Sequence, residues 1–125
     1  MKAILIDDEQ LALDSMRRML ERQGVTIAAA YLDPLTAVEQ CPGWNADVAF
    51  VDIELPGMSG LEAAERLQTL RPDIYIVFVT AYDHYAIQAF ELDAVDYLLK
   101  PIHPRRLENT LARISRSQVP TIARR

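Results

Sequence analysis

Three carboxylic acids, a hydroxyl and an ammonium in this chain each follow an apolar run: Asp7 and Asp8 after Ala3-Ile4-Leu5-Ile6, Asp52 after Val48 to Val51, Thr80 after Ile74 to Val79, and Lys100 after Val95 to Leu99. If the runs are parallel strands lying side by side, these groups gather along one edge, outside the carboxyl ends where such sheets bind ligands. Clustered carboxylates repel one another unless a cation joins them, and a donor set of oxygens alone suits Mg²⁺ or Mn²⁺ better than zinc. An ammonium and a hydroxyl suit the oxygens of a phosphoryl group. The chemistry expected is therefore that of a divalent cation and a phosphoryl group meeting at one place.

Each residue has a plainer reading. Asp7-Asp8-Glu9 is also what a strand exit into a helix N-terminus looks like, because the helix dipole favours acids there. Thr80 alone is a strand-end hydroxyl and Lys100 alone a solvated amine. Asp52 is harder to set aside, since an acid ending the buried run Val48-Ala49-Phe50-Val51 sits at a low-dielectric edge, where charges are paired or metal-bound.

The elements that must position these groups alternate along the chain. The runs near residues 3–6, 25–30, 48–53, 74–79 and 95–99 are short, rich in β-branched residues and apolar on both faces, as buried parallel strands require. Between them lie helical stripes: Leu13, Met16 and Leu20; Leu61, Ala64 and Leu67; Leu107, Leu111 and Ile114. Asp33-Pro34 reads as an N-cap followed by proline at the first helical position, and His103-Pro104 repeats the arrangement. Ser59 and Glu62 have capping-box spacing, and Pro56-Gly57 marks a loop. Five such units give an α/β doubly wound sandwich, a (βα)5 pattern around a five-stranded parallel sheet, with right-handed crossovers placing helices on both faces. Pattern alone leaves the strand order open.

With 125 residues the chain holds one domain and one core, and its half-apolar, quarter-charged composition is that of a soluble globular protein. Neither a membrane span of about 18 apolar residues nor a secretory leader is read, so a cytoplasmic location is expected. Cys41 is the lone cysteine and reads as a packing residue. The net charge of −5 is uneven: residues 1–104 hold 7 Lys/Arg against 17 Asp/Glu, and residues 105–125 hold 6 Arg against Glu108. An acidic body argues against a nucleic-acid surface on this domain. The arginines suit the solvated face of a last amphipathic helix.

The motifs Asp7-Asp8, Asp52, Thr80-Ala81 and Lys100-Pro101, with the stretch from Asp52 to Gly60, closely resemble the receiver (CheY-like) domain of bacterial two-component response regulators from Met1 to about Ser117. The run from Thr80 to Ala86, with Ala89-Phe90-Glu91 and Asp96 to Pro101, looks like receivers that precede LytTR-type DNA-binding domains. The resemblance implies a flavodoxin-like sheet in the order 2-1-3-4-5. It implies that Asp52 is phosphorylated by a sensor histidine kinase and that Mg²⁺, or Mn²⁺, is held by Asp8, Asp52 and the backbone carbonyl of Glu54, with Asp7 acting through water. Lys100 and the amide of Ala81 would meet phosphoryl oxygens, and Thr80 and Tyr97 would carry the switch to a face formed by the fourth helix, fifth strand and fifth helix. The protein would then be a phosphoacceptor regulator and no enzyme on a separate substrate. It would dimerise on phosphorylation, have no membrane partner, and touch DNA only through an output domain absent from this chain; the alternative is a stand-alone receiver acting by protein–protein contact. Residues 118–125 read as the start of the linker to that domain.

Two positions depart in detail. Glu54 and Tyr82, each two residues after a motif residue, are a bulky acid and an aromatic where the family's hydrolytic water passes, which leaves the phosphoryl lifetime open. Two other classes share parts of the pattern. A phosphatase of the haloacid dehalogenase type also uses Mg²⁺ and an aspartyl nucleophile, but follows its first strand with Asp-x-Asp. A flavodoxin-like cofactor binder needs Gly, Ser or Thr where this chain has Asp7-Asp8. Ala86, Ile87, Phe90, Ala94, Val95, Leu107 and Leu111 mix core-facing with surface residues beside Glu91, Asp93, Asp96, Arg105, Arg106 and Arg113. They read either as core with a solvated rim or as an isologous dimer face in which acids near the fifth strand meet arginines of the partner's last helix.

Overall fold

The computed structural model describes residues 1–118; the expected linker falls almost wholly outside them. Strands β1 (Lys2–Ile6), β2 (Thr26–Tyr31), β3 (Val48–Val51), β4 (Tyr75–Thr80) and β5 (Asp96–Leu99) form one parallel sheet in the order β2-β1-β3-β4-β5. Helices α1 (Gln10–Arg22), α2 (Pro34–Gln40), α3 (Gly60–Leu70), α4 (Ala86–Glu91) and α5 (Pro104–Ser117) connect and close the strands, with a 3-10 turn at Cys41–Gly43. The order reverses after β1, so β1 and β3 are neighbours with Ile6 opposite Val51. That register brings the residues following both strands together.

The sheet is apolar on both faces because both are covered. Leu13, Met16 and Leu20 of α1 join Leu107, Leu111 and Ile114 of α5 against Leu5, Phe50 and Val77 on one side. Ala37 and Val38 of α2, Ala63, Ala64 and Leu67 of α3 and Ala89 of α4 pack against Ile4, Ile76 and Phe78 on the other. Cys41 is fully buried there, as a packing residue should be. The strand β2 departs from the expected burial on both faces: it lies at one edge of the sheet, as the implied order has it, and none of its residues is fully buried.

Local signals start the helices as read. Asp33 accepts hydrogen bonds from the amides of Leu35 and Thr36 with Pro34 in the first turn. Ser59 accepts from the amide of Glu62, and His103 from that of Arg105. Before α1 the acids behave differently from a simple cap. Glu9 occupies the N-cap without a side-chain bond, while Asp7 accepts from the Glu9 amide at 3.0 Å and turns the chain out of β1. Gly57, at φ +83°, supplies the turn after β3. Gly60 is required for another reason: a Cβ there would lie 1.9 Å from the carbonyl oxygen of Asp52. Only glycine lets α3 begin against the backbone of the site.

The helices are unequally anchored. A fully buried Leu or Ile contributes roughly 1.5–3 kcal/mol, and α5 supplies Leu107 and Ile114 at 0% exposure. Helix α4 buries only Ala89 and leaves Ile87 and Phe90 at 73% and 82% exposure. Among the five α-helices, α4 thus has the fewest buried residues to hold it in place.

Candidate functional site

The carboxyl ends of β1 and β3 deliver Asp7, Asp8 and Asp52 to one spot, where oxygens of the three carboxylates lie within 4.8 Å of one another. Asp7 and Asp52 are buried at 7% and 8% exposure, whereas Asp8 faces solvent. The ammonium of Lys100, reaching in after β5, donates to Oδ2 of Asp7 at 2.7 Å and to Oδ2 of Asp52 at 3.1 Å. The Lys100–Pro101 peptide bond beyond it is cis. All five residues expected at the edge are therefore there, and four of them belong to one charged cluster.

The electrostatics follow from that geometry. Burial, with Asp7 adding repulsion, raises the Asp52 carboxyl above its ordinary range, although Lys100 and the Ile53 amide pull the other way. Burial works against the Lys100 ammonium, yet hydrogen bonds and charges from Asp7 and Asp52 outweigh it and raise its pKa. Three carboxylates against one ammonium leave the cluster electron-rich. An oxygen-only set with that charge excess fits a hard divalent cation.

Thr80 ends β4 fully buried, and its hydroxyl accepts from the amide of Tyr82 at 3.3 Å. Its carbonyl accepts from the amide of Lys100 at 2.8 Å, which fixes the start of the β5–α5 loop to the end of β4. Ala81 and Glu54 are exposed, and Glu54 shares a cleft with Asp8. Tyr97 is half-buried on β5, and its hydroxyl donates to the carbonyl of Tyr82. Burial raises the Tyr97 phenol above its usual range, keeping it a donor.

Residues 3–112 match the family model of the response regulator receiver domain. The chain belongs to that family. It is 44% identical over 115 residues to the transcriptional regulatory protein BtsR of Salmonella typhi, covering 90% of this chain and 47% of that protein. Among solved structures, the response regulatory domain of mrkE from Klebsiella pneumoniae superposes with a TM-score of 0.85 at 30% identity, covering 94% of this chain and 97% of that one. The response regulator TrrA of Thermotoga maritima, solved in complex with Mg²⁺ and a beryllium fluoride, superposes with a TM-score of 0.80 at 27% identity, covering 90% and 97%. This receiver domain spans about half the length of full-length relatives such as BtsR. Among the described residues, no helix is long and apolar enough to cross a membrane.

One expectation fails on the receiver's outer face. Asp96 was expected to meet a partner's arginines, but it is 8% exposed and is held within its own chain. Both nitrogens of the Arg106 fork donate to it at 2.6 Å, Thr110 donates at 2.7 Å, and Arg113 lies 3.2 Å away. Burial alone would raise its carboxyl, but these donors and the Tyr97 amide together hold it below the ordinary range. A helix packed along the strand satisfies the acid before any second molecule can. Val95, Leu107 and Leu111 likewise belong to the core, and Ile87 and Phe90 are the parts of the strip left outside.

Two features had no separate signal in the sequence. Tyr85 lines a cleft together with Asp8 and Glu54, and its ring is set by contacts from other elements. The Tyr97–Tyr82 bond joins residues 15 apart through a main-chain carbonyl, which residue types do not reveal.

Proposed function

We propose that this receiver is a phosphorylation-activated switch in which Asp52 accepts a phosphoryl group from a sensor histidine kinase. The observation that carries the proposal is the Lys100 ammonium seated between Asp7 and Asp52 beside a third carboxylate. Asp8, Asp52 and the carbonyl of Glu54 would hold Mg²⁺, with Asp7 acting through water. When bound, the ion neutralises charge on phosphoryl oxygens, which is most of what this transfer asks of a protein. Lys100 and the Ala81 amide would orient two of those oxygens.

Thr80 and Tyr97 would relay the added charge of roughly −1.5 to −2 to the face of α4, β5 and α5. Helix α4 is suited to respond, since only Ala89 anchors it. The exposed Ile87 and Phe90 would form a symmetric contact with a second copy in the phosphorylated state. Relatives of about twice the length that are named as transcriptional regulatory proteins support an output segment beyond this domain; in our reading that segment is a DNA-binding domain of the LytTR type and the protein is cytoplasmic. In that reading residues 1–117 are the receiver and 118–125 begin the linker.

The test is stoichiometric labelling. Acetyl phosphate with Mg²⁺ should add the mass of one phosphoryl group to the wild-type chain and none to Asp52→Asn. Labelling of Asp52→Asn at the wild-type level would remove Asp52 as acceptor.

A further inference from the structure

Beside Asp8 opens a cleft of about 520 Å³, walled by Asp8, Glu54, Leu55, Ser59, Leu61 and Tyr85. It combines an aromatic ring, two leucines and two carboxylates, and no lysine or arginine lines it. The Tyr85 ring is held ready. It packs on the core between the sheet and α2–α4, and the His84 ring lies against it, tilted by 38°, with centroids 4.2 Å apart. His84 in turn meets Tyr82 edge-on at 5.7 Å, and Tyr82 is tied through its carbonyl to Tyr97. A flat aromatic surface braced in this way receives a planar group with little loss of freedom.

The charge of the cleft decides which planar group. A phosphorylated imidazole protonated at its second nitrogen is flat and cationic, so its face suits Tyr85 and its N–H suits Glu54. An acyl phosphate has a leaving group that departs as an anion and would do so past the Glu54 carboxylate, the one acid of the cleft not assigned to the ion. We propose that this cleft is the subsite for the donor's leaving group, and that Tyr85 makes the receiver favour a phosphoimidazole over an acyl phosphate. This rests on Asp52 being the acceptor. In the transfer an Asp52 oxygen bonds to phosphorus as the P–N bond breaks. The bond's electron pair stays on the ring nitrogen, and imidazole leaves neutral with its proton on the other nitrogen.

Second-order rate constants for monophosphoimidazole and for acetyl phosphate, each with Mg²⁺ and followed by intact mass, give a ratio for every variant. Because both donors act on the same protein sample, partial misfolding cancels from that ratio. Tyr85→Leu should lower it roughly three- to tenfold, the range expected for loss of one cation–aromatic contact, and Tyr85→Phe should retain it. An unaltered ratio in Tyr85→Leu, or an equal fall in Tyr85→Phe, overturns the subsite while leaving the acceptor in place. Labelling of the wild-type chain by neither donor overturns both.

Discussion

The ammonium of Lys100 lies 3.1 Å from Oδ2 of Asp52, 48 residues away in the chain, and it is the one cation in contact with that carboxylate among the described residues. Removing it leaves Asp7 and Asp52 facing each other at low exposure. Lys100→Ala should therefore lower stability by about 1.5–3 kcal/mol, with part of the loss recovered on adding Mg²⁺, because a ligand that binds only the folded state stabilises it. Thermal unfolding with and without the ion measures this. An identical loss under both conditions would show that the ion and the ammonium do not serve the same charges. Labelling by acetyl phosphate should also slow in this variant.

Asp8 is the solvent-facing member of the cluster. Its replacement by asparagine should weaken Mg²⁺ binding by about tenfold, corresponding to ~1.4 kcal/mol, while the unfolding midpoint without Mg²⁺ stays the same or rises as repulsion falls. Calorimetric titration with Mg²⁺ decides the point, and an unaltered affinity would remove Asp8 from the ion's ligands.

Asp96 supplies a pH dependence of known sign. Its folded carboxyl is held below its ordinary pKa, because bonds from Arg106, Thr110 and the Tyr97 amide exceed the cost of burial. Its contribution is thus present above the unfolded value of about 3.9 and disappears as pH falls through the folded one. Asp96→Asn should cost about 2 kcal/mol at neutral pH, since the two arginines remain half exposed and partly screened. The gap between variant and wild type should close below about pH 4. Urea unfolding across that range tests the sign, and a gap that widens on acidification would contradict it.

Phe90 projects from α4 at 82% exposure and makes no part of the core. Phe90→Asp should leave the monomer's unfolding free energy within about 0.5 kcal/mol of wild type and should abolish dimerisation induced by beryllium fluoride. Sedimentation velocity reads this directly. A dimer that persists in Phe90→Asp would move the contact away from α4.

The strands, the caps at Asp33, Ser59 and His103, and the meeting of Asp7, Asp8, Asp52, Thr80 and Lys100 were legible in the order of residues. Apolar runs that end on polar groups, and cap residues at fixed offsets, are encoded within a few positions of the chain. A parallel sheet then leaves those strand ends only one edge to share. Other relationships depended on which elements became neighbours. Asp96 looked available to a partner until α5 lay along β5 and brought Arg106, Thr110 and Arg113 to it. Strand β2 reads as fully buried, but its place at the edge exposes it in part. The shallow seating of α4, the Tyr97–Tyr82 bond and the ring of Tyr85 beside Asp8 have no local code either. A residue's type states what it is able to bond with, whereas the register and packing of distant segments decide which bonding group reaches it first.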